Sequence, residues 1–426
     1  MVMIFVNEQN QEEFLRILET EKVFVFPVLS FPEIHYVKNR VSFLYFATIS
    51  TRLEFLVNYY NYDIPKSSLS IERISAKCAN QIIYKKKFVK NLEKNLEALI
   101  LYWGVKEDNL DINYNDCIIE FHRKGINNDL IPIYKWVDVA REIFEKIREL
   151  EFEQIIEYDN LVTQLAKVEQ NGLCVRDSNF FPSNIGKNLF DGLIYSEYNP
   201  YTVTGRPSNH FGGINFAALS KISGIRKNFI SRFEDGWLAE FDYHAYHIQL
   251  ISKLVGYKFP EEDVYKFLAK EYFGKEPTEE QINHTKELTF QQIYGGVRKE
   301  FQHIEFFKKL KILLGKIEVD NNLGTCRTFL FKKKISSTEN SIKTFNYLLQ
   351  NLETEVNSII LTKINDFLVD KKSKLILYTY DSFLIDYCPE DGIILFRKLK
   401  EILESTGINI KFKIGRNYHT MFNKNI

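Results

Sequence analysis

The sequence of 426 residues has no excess of charge of either sign. Its 56 lysines and arginines balance 56 aspartates and glutamates, so the formal net charge is zero. A protein with this balance has no overall field to attract a polyanion, so any nucleic-acid binding must depend on local basic patches. The largest candidate runs from Arg298 to Lys334, where ten basic residues accompany four acidic ones. A solvated face is the alternative interpretation of this segment.

Closely spaced cysteines and long apolar runs are also missing. The five cysteines are scattered along the chain, so they predict neither a disulfide framework nor a zinc site. No window approaches the roughly twenty consecutive apolar residues of a membrane helix, and the N-terminus has no signal-peptide pattern. These absences predict a cytoplasmic protein that does not bind a membrane. The length allows two or three domains.

Two acidic residues end apolar strands in distant parts of the chain. The stretch from Trp237 to Leu250 predicts a buried strand that ends on Asp242 and continues into an amphipathic helix. The stretch from Leu375 to Tyr387 predicts a hairpin whose two-residue turn is Asp381-Ser382. Taken alone, an aspartate at a strand end such as Asp242 is more typical of a turn or a helix N-cap than of a catalytic site. If the two strands are neighbours, their carboxylates converge as two magnesium ions about 3.5–4 Å apart require.

A helix between these two stretches carries a cation and two aromatic rings in one stripe. Thr278-Glu-Glu-Gln281 has the capping-box pattern, and Gly295-Gly296 is a stop signal. Lys286, Phe290 and Tyr294 follow at intervals of four residues and therefore share one face. The pattern is typical of an amphipathic helix with a lysine at its edge. It also suits a cation for a triphosphate beside two platforms for a base.

These motifs together resemble a known family. Asp242-Tyr243, Lys286-x3-Phe290-x3-Tyr294-Gly295 and Tyr380-Asp381-Ser382 occur in the order and at roughly the separations of the three polymerase motifs of the family A DNA polymerases, the DNA polymerase I type. Further segments that resemble this family are Thr202-Val-Thr-Gly-Arg-Pro-Ser-Asn209, Gly213-Ile-Asn-Phe216, Arg226-Lys-Asn-Phe-Ile230 and Asn346-x3-Gln350. The resemblance extends from about residue 160 to the C-terminus. The small size favours a compact, phage-type member that acts in a bacterial host cell.

The resemblance implies an α+β architecture. A polymerase palm, which is an antiparallel sheet backed by helices, would carry helical fingers. The thumb of the family lies between the segments that contain Cys174 and Thr202, and since only 28 positions separate these residues here, the thumb is expected to be reduced or absent. The implied segments are 1–130, exonuclease-like; 131–195, helical connector and vestigial thumb; 196–256, palm; 257–343, fingers; and 344–426, palm. The palm strands are expected at 236–242, 375–380, 383–388 and 408–414, with backing helices at 344–369 and 391–405.

The N-terminal region resembles a ribonuclease-H-like proofreading exonuclease. Strands are predicted at 23–26 and 41–46, followed by helices near 51–60, 66–82 and 86–104. The resemblance fails at the chemistry, because that exonuclease needs an Asp-x-Glu on its first strand and the stretch 24–29 contains no acid. We therefore expect a degenerate 3′-5′ exonuclease-like domain without activity.

The resemblance also assigns roles to single residues. Asp242 and Asp381 would bind two Mg²⁺ ions, with Mn²⁺ as an alternative and the carbonyl of Tyr243 as a third ligand. Lys286 would neutralise the triphosphate of a dNTP, while Phe290 and Tyr294 would stack on base and ribose. The residues expected to touch primer-template DNA are Arg206, Thr204, Asn215, Asn346, Gln350 and Arg298. A processivity or replisome protein is a further candidate partner.

Three departures from the family pattern leave alternatives open. Ile282 stands where an arginine is usual, so His284 or Arg298 would have to supply the missing phosphate contact. Ser382 replaces an acid, as in single-subunit RNA polymerases. His247 stands where a glutamate walls off the ribose 2′ position, and its ring could bond Tyr294 and also donate to a 2′ hydroxyl, which predicts leaky exclusion of ribonucleotides. The alternatives are a polymerase that accepts ribonucleotides and an inactive DNA-binding scaffold.

Overall fold

The computed structural model describes residues 3–20, 23–31, 40–48 and 51–58, a set of positions between 137 and 219, and 224–424 except 275 and 336. The helices predicted near 66–82 and 86–104 lie outside these residues. Along the predicted connector, the described positions from 160 to 171 are helical. No described helix is both long enough and apolar enough to cross a membrane.

A four-stranded sheet forms near the N-terminus, in the order β1-β4-β3-β2. Its strands are β1 Met3–Phe5, β2 Val23–Phe31, β3 Arg40–Thr48 and β4 Glu54–Asn58. Helix α1, Gln11–Thr20, packs the ring of Phe14 against Phe46 and Phe55 at centroid distances of 5.2 and 5.1 Å. The strands predicted at 23–26 and 41–46 are confirmed.

Two predictions for this sheet are wrong. The helix expected near 51–60 is strand β4, because Arg52 turns the chain with a φ of 57° and the next residues pair antiparallel with β3. The stretch 24–29 lies on β2 and is not the first strand, since β1 precedes it and pairs parallel with β4. Like β2, strand β1 carries no acid.

A second sheet of short strands follows, in the order β6-β7-β5-β8. The bounds are β5 Leu173–Val175, β6 Leu189–Phe190, β7 Leu193–Ile194 and β8 Phe229–Ile230. Gly172 leads into β5 with a φ of 60°, a left-handed conformation that glycine adopts readily. The hairpin of β6 and β7 lies in the stretch for which a reduced thumb was expected.

The central sheet is antiparallel and has the order β10-β11-β9-β12-β13. Its bounds are β9 Trp237–Tyr243, β10 Lys374–Thr379, β11 Ser382–Tyr387, β12 Ile410–Gly415 and β13 Phe422–Asn423. Strand β9 is flanked on both sides, and Leu238, Ala239 and Phe241 are buried. The four strands predicted for this sheet are confirmed.

Six further helices cover the sheet or extend from it. They are α2 Tyr246–Leu254, α3 Val264–Phe273, α4 Glu279–Gly295, α5 Glu305–Leu323, α6 Ser341–Phe367 and α7 Ile394–Glu404. The capping box of α4 is confirmed, because the Thr278 hydroxyl accepts from the Gln281 N–H and the Gln281 side chain accepts from the Thr278 N–H. The two backing helices correspond to α6 and α7.

The turn expected at Asp381-Ser382 is displaced by one residue. Thr379 pairs with Ser382, so Tyr380 and Asp381 form the turn. Tyr380 has a φ of 61°, a left-handed conformation that residues other than glycine rarely adopt. The Asn357 side chain donates to the Tyr380 carbonyl at 2.6 Å and stabilises this conformation. The displaced turn still leaves Asp381 at the rim of the sheet.

Candidate active site

The register of the central sheet brings the two distant aspartates together. Asp242 on β9 lies opposite Ser382 on β11, so Asp381 is at the adjoining position of the turn. The Tyr243 N–H donates to the Asp381 carbonyl at 3.0 Å, which ties the end of β9 to that turn. Both aspartates line one cleft. The sequence alone could not establish this contact, because 138 residues separate the two strand ends.

The electrostatics of the two carboxylates favour a bound cation. Burial and the charge of Asp381 raise the pKa of Asp242 to about 7, against the opposing charges of Lys413 and Lys411. Burial and the charge of Glu353 also raise the pKa of Asp381. A divalent cation would relieve this repulsion, and Mg²⁺ is commonly held by one or two carboxylates together with substrate phosphates. The donor set therefore fits magnesium.

Protein ligands to such an ion would be few. No cluster of three or more His, Cys, Asp or Glu side chains suited to a metal occurs among the described residues. The Tyr243 hydroxyl donates to the Leu403 carbonyl at 2.9 Å, and its ring stacks on Tyr246. The Tyr243 side chain is thus engaged elsewhere, and only its main-chain carbonyl would be available as the predicted third ligand.

Helix α4 contributes the predicted stripe to the same cleft. Lys286, Phe290 and Tyr294 all line it together with Asp242 and Asp381. The rings of Phe290 and Tyr294 are nearly parallel, with centroids 5.7 Å apart. A cation, two aromatic faces and two carboxylates from three separate segments therefore surround one space.

His247 has a different environment from the one expected. On α2, its Nδ1 is hydrogen-bonded to the Tyr294 hydroxyl and its Nε2 to Glu353. The expected bond to Tyr294 is present. The expected donation to a ribose hydroxyl is not available, because both ring nitrogens are already occupied. Without that donation, the predicted leaky exclusion of ribonucleotides has no support from the position of His247.

Glu353 is a site residue that sequence reasoning missed. It lines the cleft from α6 and is 1% exposed. Burial would raise its pKa, but the hydrogen bonds and charges of His247 and Arg206 outweigh burial and lower it. Its signal was a polar stripe at helical spacing in an otherwise buried helix: Asn346, Gln350, Glu353 and Asn357.

The Arg206 guanidinium is already bound to other groups of the protein. Its Nε and Nη2 donate to the two Glu353 oxygens at 2.9 and 3.1 Å, and its guanidinium lies 3.7 Å from the centroid of the Tyr380 ring. Arg206 lines the cleft, but its fork is already paired with a carboxylate. The expectation that it contacts primer-template DNA therefore requires that it share or exchange this partner.

Lys411 is a second residue that was missed. It lies opposite Asp242 on the neighbouring strand β12 and lines the cleft. The cations expected to replace the missing arginine, His284 and Arg298, do not line the cleft, and Arg298 contacts Gln291 and Glu300 instead. Alternation along β12 placed Lys411 and Lys413 on one face, but the register with β9 was not predictable.

Comparisons with known proteins agree with this arrangement at the level of fold. No protein-family profile matches the sequence, and no curated protein matches it. A solved structure of the POL domain of Pol1 from M. smegmatis, in complex with DNA primer-template and dNTP, matches with a TM-score of 0.65 at 12% identity. The match covers 99% of this chain and 100% of that chain. The fold is similar to that of a DNA polymerase domain.

The other predicted DNA contacts do not line the cleft. Asn346 on α6 donates to the Tyr294 carbonyl at 3.3 Å, so it contacts α4. Asn215 accepts from the Ala218 N–H and caps a short 3-10 helix. Thr204 and Gln350 are partly exposed. Their assignment to DNA stays a prediction.

Proposed function

We propose that the chain is a template-directed DNA polymerase of the family A type, which adds dNTPs to a primer 3′ hydroxyl by two-metal-ion nucleotidyl transfer. The observation that carries the proposal is the cleft, in which Asp242 and Asp381 meet Lys286, Phe290 and Tyr294. The similarity of fold to a POL domain whose structure holds primer-template and dNTP supports it.

Each cleft residue has a role in this reaction. Asp242 and Asp381 would hold Mg²⁺ or Mn²⁺, with the carbonyl of Tyr243 as a further ligand. When bound there, the ion would supply a lower pKa for the attacking hydroxyl and neutralisation of charge on the phosphates. Lys286 binds the triphosphate as a point charge, and Lys411 adds a second cation beside Asp242.

The nucleotide itself is oriented by the aromatic residues of α4. Phe290 and Tyr294 offer flat faces on which any base can stack, so template pairing rather than the protein selects the base. The Tyr294 hydroxyl is hydrogen-bonded to His247, and in this proposal the pair lies beside the sugar. Positioning of this kind accounts for much of the catalysis of phosphoryl transfer.

We further propose that the N-terminal sheet has no proofreading activity. Glu54 is the only acid on its four strands. Its carboxylate accepts from Arg141 Nε and Nη2 at 2.8 Å each and from the Tyr45 hydroxyl at 2.7 Å. A carboxylate saturated in this way suits a structural ion pair and not a metal ligand.

Primer extension tests the proposal. The purified chain with Mg²⁺, a primed template and dNTPs should extend the primer, and Asp242→Asn or Asp381→Asn should lower the rate by at least about a thousandfold, since each removes a metal-binding charge worth several kcal/mol. Fluorescence anisotropy should show nearly unchanged DNA affinity. Asp366→Asn, an exposed aspartate on α6, is the control. Comparable extension by Asp381→Asn would refute the site assignment, and efficient use of NTPs would favour the ribonucleotide-accepting alternative.

A further inference from the structure

One buried carboxylate connects four segments around the cleft. Glu353 on α6 accepts two hydrogen bonds from Arg206, in the loop before β8, and contacts His247 on α2. His247 in turn contacts Tyr294 on α4. The Arg206 guanidinium covers Tyr380, the residue before Asp381. No other carboxylate lines the cleft in the described part of the chain except the two aspartates.

The chemistry of these groups fixes the orientation of the histidine. An ionised carboxylate is only an acceptor, so Nε2 of His247 carries a proton and donates to Glu353. Nδ1 then faces the Tyr294 hydroxyl and is hydrogen-bonded to it. A flip of the ring would break both bonds. The carboxylate thus orients the histidine as outer carboxylates orient metal-bound histidines.

We propose that Glu353 is a positioning residue for sugar selection. It holds the His247 ring against Tyr294 and thereby fixes the position of the side chains that exclude a ribose 2′ hydroxyl. This inference rests on the proposed function. Family resemblance places a glutamate at position 247, and here the carboxylate comes from a different helix with a histidine between it and Tyr294. Glu353 itself need not touch the nucleotide.

The buried position of Glu353 strengthens the inference. A carboxylate that is 1% exposed needs hydrogen-bond partners for its oxygen atoms. Here the partners are the side chains of Arg206 and His247. The lowered pKa of Glu353 agrees with a charge that is kept ionised by His247 and Arg206 after burial has opposed it.

Glu353→Gln is the first test, because it keeps the volume and removes the charge. The readout is discrimination, the ratio of kcat/KM for a dNTP to that for the matching NTP. We expect this ratio to fall by about tenfold or more, as a buried hydrogen bond to a charged group is lost. The loss should come mainly from better use of the NTP.

Glu355→Gln is the matched control. Glu355 lies two residues further along the same helix and is 0% exposed. It accepts from the Leu330 N–H at 2.9 Å and does not line the cleft. Its substitution should lower the thermal midpoint without changing discrimination. This control distinguishes an effect of general destabilisation of α6 from an effect of the displacement of His247.

A double-mutant cycle with His247→Ala tests whether Glu353 acts on discrimination through His247. If Glu353 acts through His247, then Glu353→Gln should change discrimination in the wild-type background and leave it unchanged in the His247→Ala background. Equal effects in both backgrounds would overturn the proposal. If Glu353→Gln does not fold, Glu353→Asp replaces it, because this variant keeps the charge and shortens the side chain by one methylene. Glu353→Asp should show a discrimination ratio between those of the wild type and His247→Ala. A ratio equal to that of the wild type would also overturn the proposal.

A spectroscopic readout is independent of turnover. In ¹⁵N NMR of histidine-labelled protein, the signal that disappears in His247→Ala should show a protonated Nε2 in the wild type and a changed pattern in Glu353→Gln. An unchanged pattern would contradict the positioning role. Failure of the wild-type chain to extend any primer would contradict the proposed function, while the tautomer result would still stand on its own.

Discussion

At the scale of single residues, Asp242 predicts how stability depends on pH and metal. Its pKa in the folded protein, about 7, lies above the ordinary value near 4 for an unfolded aspartate. The folded state therefore binds the proton more tightly, and stability should fall as pH rises from about 4 to about 7, by at most roughly 1.4 kcal/mol per pH unit. The raised pKa of Asp381 acts in the same direction.

Magnesium should reverse this loss, because only ionised carboxylates bind it. We expect MgCl₂ to raise the thermal midpoint more at pH 8 than at pH 5.5, as measured by differential scanning fluorimetry. Asp242→Asn removes one of the two titrating carboxyl groups and should weaken both the pH dependence and the response to Mg²⁺. A response to Mg²⁺ of equal size at both pH values, or one that persists in this variant, would place the ion elsewhere.

Phe290 makes a second prediction at this scale. It lies beside Tyr294 in the cleft but carries no hydroxyl that could substitute for the 3′ hydroxyl missing from a dideoxynucleotide. Dideoxynucleotides should therefore be poor substrates. Phe290→Tyr should improve their use relative to dNTPs on the order of tenfold, which is the gain from roughly one hydrogen bond. Competitive incorporation assays measure the ratio, and an unchanged ratio would move Phe290 away from the sugar.

At the scale of elements, local pattern was sufficient where the two ends of an interaction lie close in sequence. The capping box predicted the start of α4, and the spacing of Lys286, Phe290 and Tyr294 predicted its face, because a helix fixes these relations over four residues. Two stretches rich in apolar and β-branched residues on either side of a short turn predicted the hairpin of β10 and β11. The exact turn was missed because the left-handed Tyr380 depends on Asn357, a residue of α6.

Relations between distant elements were not predictable in the same way. The pairing of Lys411 with Asp242 depends on the register of β12 against β9, and a shift by one residue would turn Lys411 to the other face. Glu353 depends on the rotation of α6 against α2. The polar stripe of α6 indicated which face mattered but not which residue it would meet.

A buried ion pair gives a prediction about how these elements are joined. Asp386 on β11 is 0% exposed and accepts from Arg232 Nε at 2.8 Å and from the Ser231 hydroxyl at 2.6 Å. Arg232 Nη2 also donates to the carbonyls of Asn171 and Gly172 at 2.8 Å each. The pair therefore connects the end of the helical connector, the segment before β9 and the central sheet.

Arg232→Met should destabilise the protein by about 3–5 kcal/mol, because it leaves the buried Asp386 charge without its partner. Chemical denaturation measures the change. The double variant Arg232→Met with Asp386→Leu removes both charges and should recover a substantial part of the loss, as apolar replacements of buried pairs commonly do. A double variant less stable than the single one would show that the pair has no such role.

At the scale of the whole molecule, the described part of the chain offers few elements that could hold a duplex. Between Cys174 and Thr202, the described positions include the short hairpin of β6 and β7 and no α-helix. Two helices long enough to follow a duplex at 1.5 Å per residue do not fit in this stretch. The formal net charge of zero offers no general attraction for DNA to compensate.

The basic segment from Arg298 to Lys334 compensates less than its composition indicates. Lys333 is buried, and burial lowers its pKa to about 7 against the charge of Glu355. Arg298 contacts Gln291 and Glu300. These two residues therefore add less to an exposed basic surface than the sequence implied, although Lys308, Lys311 and Lys316 on α5 remain exposed.

We therefore predict an enzyme that dissociates after a few additions. Each phosphate contact that is absent removes one step of counterion release, so affinity should be low and the slope of log K against log salt shallow, at roughly −0.9 per remaining contact. Primer extension with a DNA trap added at the start measures the length synthesised in one encounter, and short products are expected at moderate salt. Long products from the purified chain alone would mean that the N-terminal region or α5 closes around the duplex. The double variant Lys308→Glu with Lys316→Glu would then test α5. Reversal of both charges should shorten those products if this helix binds the duplex.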